Sequence, residues 1–139
     1  ADAAFVNGAF GNVLEMDDIH RAAILHPGPV VVPAALAVAE GKGEGAPSAD
    51  LLDAIVRGYE AMIRVGRSMD RHHYRHWHPT ATCGPFGAAA AAGSLLGLDR
   101  DHSLLCGVGT SGYYVRNGRG PNVDELADFM LDWPAAPGG

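Results

Sequence analysis

Residues 51–66 read LLDAIVRGYEAMIRVG, and the spacing of their apolar side chains decides the fold class. Leu51, Leu52, Ile55, Val56, Tyr59, Met62 and Ile63 recur at the i, i+3, i+4, i+7 intervals that put them on one stripe of a helix, while Asp53, Arg57, Glu60 and Arg64 lie mostly off it. Ser48 stands just upstream as a candidate N-cap, and Asp50 places a carboxylate in the first turn, where the helix dipole favours negative charge. Strands would need runs that alternate apolar and polar residues, and no such run occurs; β-branched residues cluster only at Val30 to Val32. The expected fold is all-α, a helical bundle.

Towards the N-terminus, Gly41 to Pro47 reads as a surface turn, and Pro33 is expected in the first turn of a helix that runs to Glu40. Residues 19–29 hold two prolines and a glycine around His26, so they read as a loop that delivers this histidine between two helices. Upstream of the loop, Phe5, Val6, Phe10, Val13 and Leu14 recur at helical spacing. Gly8 and Gly11 weaken that helix by about 1 kcal/mol each and fit a place where another helix comes close. Towards the C-terminus, residues 82–96 are nearly all small and apolar and stop at Gly97, which predicts a buried helix in the middle of the bundle. Beyond residues 102–108 the pattern thins into turn formers, with a short amphipathic candidate at 123–131, and no internal repeat is present. The expected organisation is one helical domain over residues 1–110 and an atypical tail over 111–139.

The 139 residues, 47% of them hydrophobic, suffice for one domain with its own core and not for two. A net charge of −6 with only 10 scattered basic residues argues against nucleic acid as a partner, because phosphate neutralisation needs clustered Lys and Arg. No stretch has the roughly 18 uninterrupted apolar residues of a membrane span, so no membrane partner is expected. Cys83 and Cys106 fit free, buried thiols in a reducing compartment, which makes the cytoplasm the expected location. The sequence starts at Ala1 without Met or a signal pattern, and is expected to be internal to a longer product or a processed end.

Two clusters could carry chemistry. Glu15, Asp17 and Asp18 place three carboxylates within four positions, and His20 and His26 follow closely enough to fold back on them. Carboxylates and imidazoles held together and partly desolvated are the groups that proton abstraction beside a carboxylate requires. The alternative is that Asp17 and Asp18 merely cap a neighbouring turn while the histidines are solvated. In the second cluster, His72, His73, His76 and His78 fall within seven residues, and the spacing of His72 and His76 would put both on one face of a helix, as a metal site needs. Arg71 and Arg75 oppose a cation there, and a polar surface segment is the competing reading. His78 differs from the rest because Pro79 follows it and a buried helix begins soon after, so its ring is expected at the end of that helix, where anions are favoured. The glycines at 41–45 and 107–109 are turns rather than phosphate loops, and neither the serines nor Cys83 have the context of a nucleophile.

The segment AAFVNGAFGNVLEMDDIHRAAILHPGPVVVPAALAVAE at 3–40 resembles a block of the MmgE/PrpD family that runs from Asn-Gly through an acidic pair to His-Pro-Gly and a helix. LLDAIVRGYEAMIRVG is similar to the family's next helix, and HWHPTATCGPFGAAAAAGSLLGLD at 76–99 to its histidine and alanine-rich helix. The family includes 2-methylcitrate dehydratase, cis-aconitate decarboxylase and iminodisuccinate epimerase. The resemblance therefore implies a lyase-type, 2-methylcitrate dehydratase-like domain that moves a proton next to a carboxylate of a small di- or tricarboxylic acid. It implies no metal and no cofactor, and a homodimeric full-length enzyme with a second domain. Carried over by position, Asp17, His26 and His78 are the catalytic candidates, and Glu15 and Asp18 the substrate-binding ones, with one carboxylate of the pair expected to orient a histidine or take a proton. Glu15 replaces an Asp common in the family and Ile19 a Thr, and beyond Ser111 the expected cationic segment is replaced. The alternatives are a catalytically incomplete fragment and a small His-rich metal-binding protein.

Overall fold

The computed structural model describes residues 2–43, 45–69 and 71–98. In chain order its helices are α1 (Asp2–Asn12), α2 (Gly28–Gly41), α3 (Ser48–Arg67), α4 (Arg71–His76) and α5 (Pro79–Leu96). The described residues contain no strand, only one antiparallel bridge between His20 and Leu25, and the all-α class holds. Cys106, the readings at 102–108 and 123–131, and the tail at 111–139 lie outside the described residues.

α5 packs along α3 and also against α2 and buries seven of its residues, while α2 is the helix that touches three others, α1, α3 and α5. The fully buried line of α3 is Ala54, Gly58, Met62 and Gly66, and Leu51, Ile55, Tyr59 and Ile63 of the apolar stripe pack half-buried against the core beside it. Leu52 and Val56 are 63% and 60% exposed. Backbone proximity is the reason: a Cβ on Gly58 would lie 2.9 Å from the Gly87 carbonyl of α5, and one on Gly87 would lie 2.9 Å from Met62 Cβ. Small residues let the two helix backbones touch, and that contact selects the face that is buried.

α2 begins at Gly28, five residues before Pro33, which instead lies inside the helix. Pro29 is tolerated in the first turn because the N–H it lacks would have no intrahelical acceptor there. Pro33 in turn leaves the Pro29 carbonyl without its i+4 donor. Gly8 of α1 packs on that carbonyl, and a Cβ at Gly8 would lie 2.9 Å from it. α1 buries none of its residues, and Phe5 and Phe10, like Val13, Leu14 and Met16 that follow the helix, are exposed.

Helix ends differ in detail from the sequence reading. Ser48 is the first helical residue of α3 rather than its cap, and the first turn closes on Pro47, whose carbonyl accepts the Leu51 N–H at 3.0 Å. α5 starts at Pro79 and stops at Gly97, which adopts the left-handed conformation at φ 69°. Lys42, just past α2, donates from Nζ to the Leu95 carbonyl at 2.8 Å, placing a cation at the negative end of α5. Among the described residues no helix is long and apolar enough to cross a membrane.

Candidate active site

Residues 13–27, between α1 and α2, form a tightly folded loop. Leu25 and Pro27 are fully buried and root it in the core, where Leu25 lies on Gly66 of α3; a Cβ at Gly66 would collide with the leucine side chain. Within the loop, His20 N–H donates to the Leu25 carbonyl at 2.9 Å, and Ile24 N–H to the His20 carbonyl at 2.8 Å. His20 Nδ1 accepts the Ala23 N–H at 3.2 Å, so this histidine is engaged in holding the turn. Ile24 turns the chain at φ 51°, a left-handed conformation that a β-branched residue adopts only under constraint.

The outcome of this folding is the position of His26. Its N–H donates to Thr80 Oγ1 at 3.0 Å, in the first turn of α5 and two residues beyond His78. Its ring Nδ1 lies 2.8 Å from the Asp18 carbonyl oxygen and 3.2 Å from Asp17 Oδ2. Asp17 Oδ2 also accepts from Asn12 Nδ2 at 3.1 Å, at the end of α1. The Asp17 side chain is 6% exposed and that of His26 is 30% exposed. A carbonyl and a carboxylate only accept hydrogen bonds, so Nδ1 carries the hydrogen, and in the neutral ring the lone pair is on Nε2. An imidazole held in this way presents a base on the far side of the ring from its carboxylate.

Asp18 is used differently. Its Oδ1 accepts the Gly28 N–H at 3.0 Å, at the start of α2, and the Tyr59 hydroxyl of α3 lies beside the carboxylate. Burial first, then the charge and hydrogen bond of Asp18, push the Tyr59 hydroxyl up to about 12. Asp18 therefore ties the loop to two helices, the capping role among the sequence alternatives, while Asp17 pairs with the histidine. Sequence reading assigned Tyr59 to an apolar stripe and missed its part in the site. The available signal was a hydroxyl on a half-buried face, which needs a partner.

Glu15 is exposed at φ 50° and takes no part in these side-chain contacts. His78 caps α5 from an extended conformation, with its carbonyl accepting the Thr82 N–H at 3.1 Å; its exposed ring makes no capping bond. On α4, the rings of His72 and His76 lie 4.8 Å apart, while His73 Nε2 is 3.1 Å from Thr82 Oγ1 of α5. Among the described residues no group of three or more His, Cys, Asp or Glu side chains is arranged to hold a metal ion. Cys83 is fully buried, 3.9 Å from Met69 Sδ, and burial raises its thiol to about 11, which leaves it an inert core residue.

Two open cavities flank the loop. A groove of about 310 Å³ between α1 and α2 is lined in part by Asn7, Asp17, Asp18 and Gly28. A cleft of about 450 Å³ lies on the other side, among Ile24, Met69, His73, Arg75 and Pro79.

The class defined by these features is an all-helical domain whose first inter-helix loop carries an imidazole held by an acidic pair. The family model for the MmgE/PrpD N-terminal domain matches residues 1–106, and the chain belongs to the MmgE/PrpD family. It is 41% identical over 106 residues to the cis-aconitate decarboxylase-like protein oryM of Aspergillus oryzae, an alignment covering 71% of this chain and 22% of that protein. Cis-aconitate decarboxylase of Aspergillus terreus is 35% identical over 104 residues, covering 71% of this chain and 21% of that enzyme. The chain thus spans about a fifth of the length of the curated relatives it matches. No solved structure matches it significantly.

Proposed function

We propose that this chain is the helical part of a lyase that acts on a small di- or tricarboxylic acid and moves a proton at a carbon next to a carboxylate. The observation that carries the reading is the His26 ring, whose Nδ1 lies between the Asp18 carbonyl and the Asp17 carboxylate. With its hydrogen fixed there, Nε2 is the atom that takes or returns the substrate proton, and Asp17 stabilises the imidazolium formed when it does. His78, next to the turn of α5 that receives the His26 N–H, is the second acid or base. In this reading Glu15 lies at the substrate end of the loop, and Asp18 holds the loop against α2 and α3.

Among the reactions of the family, the names of the relatives favour decarboxylation of an unsaturated tricarboxylate such as cis-aconitate over dehydration of 2-methylcitrate. Loss of CO₂ breaks a carbon–carbon bond and leaves its electron pair delocalised over the adjacent double bond. A proton delivered from a held imidazolium then quenches that pair, and the neutral ring is reprotonated from solvent. We further propose a cytoplasmic homodimer as the working form, following the family resemblance.

The test is an assay of the protein expressed from its complete reading frame, with cis-aconitate and 2-methylcitrate as substrates. His26→Ala and His78→Ala are each expected to lower turnover by about 10²-fold or more, the usual contribution of a positioned acid or base. Turnover unchanged in both variants removes the assignment.

A further inference from the structure

We infer that Tyr59 is a positioning residue for His26: through Asp18 it holds the ring in the tautomer that leaves Nε2 unprotonated. The inference rests on the function proposed above for its meaning, but on geometry alone for its substance.

One residue, Asp18, contacts three elements with different atoms. Its main-chain carbonyl receives the His26 ring at 2.8 Å, and its side-chain Oδ1 receives the Gly28 N–H at 3.0 Å. The Tyr59 hydroxyl of α3 lies beside the same carboxylate, both groups meeting the point where Gly28 would carry a Cβ. The Asp18 side chain is thereby restrained from two sides, and with it the residue whose carbonyl faces His26. Space around Gly28 is equally restrictive. A Cβ there would overlap Asp18 Oδ1 and lie 3.1 Å from the Tyr59 hydroxyl oxygen, so the strap closes only with glycine at the start of α2. The Asp17 carboxylate 3.2 Å from Nδ1 is the other acceptor that favours hydrogen on this nitrogen. A hydroxyl on α3 thereby reaches the ring of His26 without touching it, which distinguishes positioning from acid–base participation.

The tautomer is read directly from the imidazole ¹⁵N signals of the ¹⁵N-histidine-labelled 139-residue chain, with His26 assigned by its loss in His26→Gln. The native chain is expected to hold His26 predominantly with hydrogen on Nδ1. Tyr59→Phe keeps the ring that packs on the core and removes only the hydroxyl. It is expected to lower the ratio of the two tautomers at His26 by about threefold or more, the scale of a modest net hydrogen-bond contribution, with helical content retained. Gly28→Ala reaches Asp18 from the opposite side and is expected to move the ratio in the same direction. A native His26 with hydrogen mainly on Nε2 overturns the inference, as does a native ratio preserved in both folded variants. Because no turnover is involved, a protein from the complete reading frame that lacks lyase activity, beside a chain that shows the tautomer shift, refutes the proposed function and leaves the strap standing.

Discussion

At the scale of single residues, the acidic pair divides its work according to what each carboxylate can reach. Asp17 faces an imidazole and an amide; Asp18 faces a helix N-terminus and a phenol. The phenol makes this division measurable. Tyr59 moves from its ordinary 10.0 to about 12, and Cys83 from 9.0 to about 11. Both groups are neutral when protonated, so the folded state binds these protons more tightly than the unfolded chain does. Their contribution to stability is complete below the unfolded values and is lost as the pH rises towards the folded ones. Thermal midpoints are therefore expected to be insensitive to these two groups below about pH 9 and to fall through the interval up to about pH 12. Tyr59→Phe should flatten the part of that fall above pH 10, and a variant that loses midpoint as steeply as the native chain contradicts the assignment. That a carboxylate of the pair meets His26 was legible in sequence because all three residues lie in one short loop. The Tyr59–Asp18 contact was not, because helical periodicity registers the aromatic ring and says nothing of where its hydroxyl points.

At the scale of elements, the glycines of α3 and α5 decide more than the leucines. Gly58 faces the Gly87 carbonyl and Val31, so a larger side chain has no room without separating the two helices. Gly58→Leu is expected to cost about 3 kcal/mol or more, at the upper end of overpacking. Leu52→Ala and Val56→Ala, on the exposed side of the same helix, should each change stability by no more than about 0.5 kcal/mol. Urea denaturation midpoints of the three variants check the contrast, and equal losses at Leu52 and Gly58 would reverse this account of the buried face. A hydrophobic pattern alone favours the opposite ranking, since it weights apolar size and ignores how closely two backbones approach. On α1 too, glycines take the contact with α2, and the phenylalanines are on the surface.

For the whole molecule, the loop of residues 13–27 and the core are one cooperative unit because Leu25 belongs to both. It is fully buried on Gly66, one residue before the histidine whose N–H is bound by Thr80 of α5. Leu25→Ala is expected to destabilise the fold by about 2–5 kcal/mol, the usual range for a buried leucine. It should also broaden the His26 ring signals, since the strand of chain that carries the ring loses its root. Thermal denaturation and NMR of the variant test both parts; an unaltered melting midpoint would show the loop to be independent of the core.

Helicity, the burial of the alanine-rich helix and the clustering of carboxylates with His26 were determined by the sequence alone. They depend on local spacing, on the absence of strand patterning and on residues only a few positions apart. The tertiary structure decided which helix faces are buried, where α2 begins and which member of the acidic pair serves the histidine. Those outcomes depend on the approach of backbones and on hydrogen bonds between α3, α2 and the loop, contacts between residues distant in the chain that no local pattern encodes.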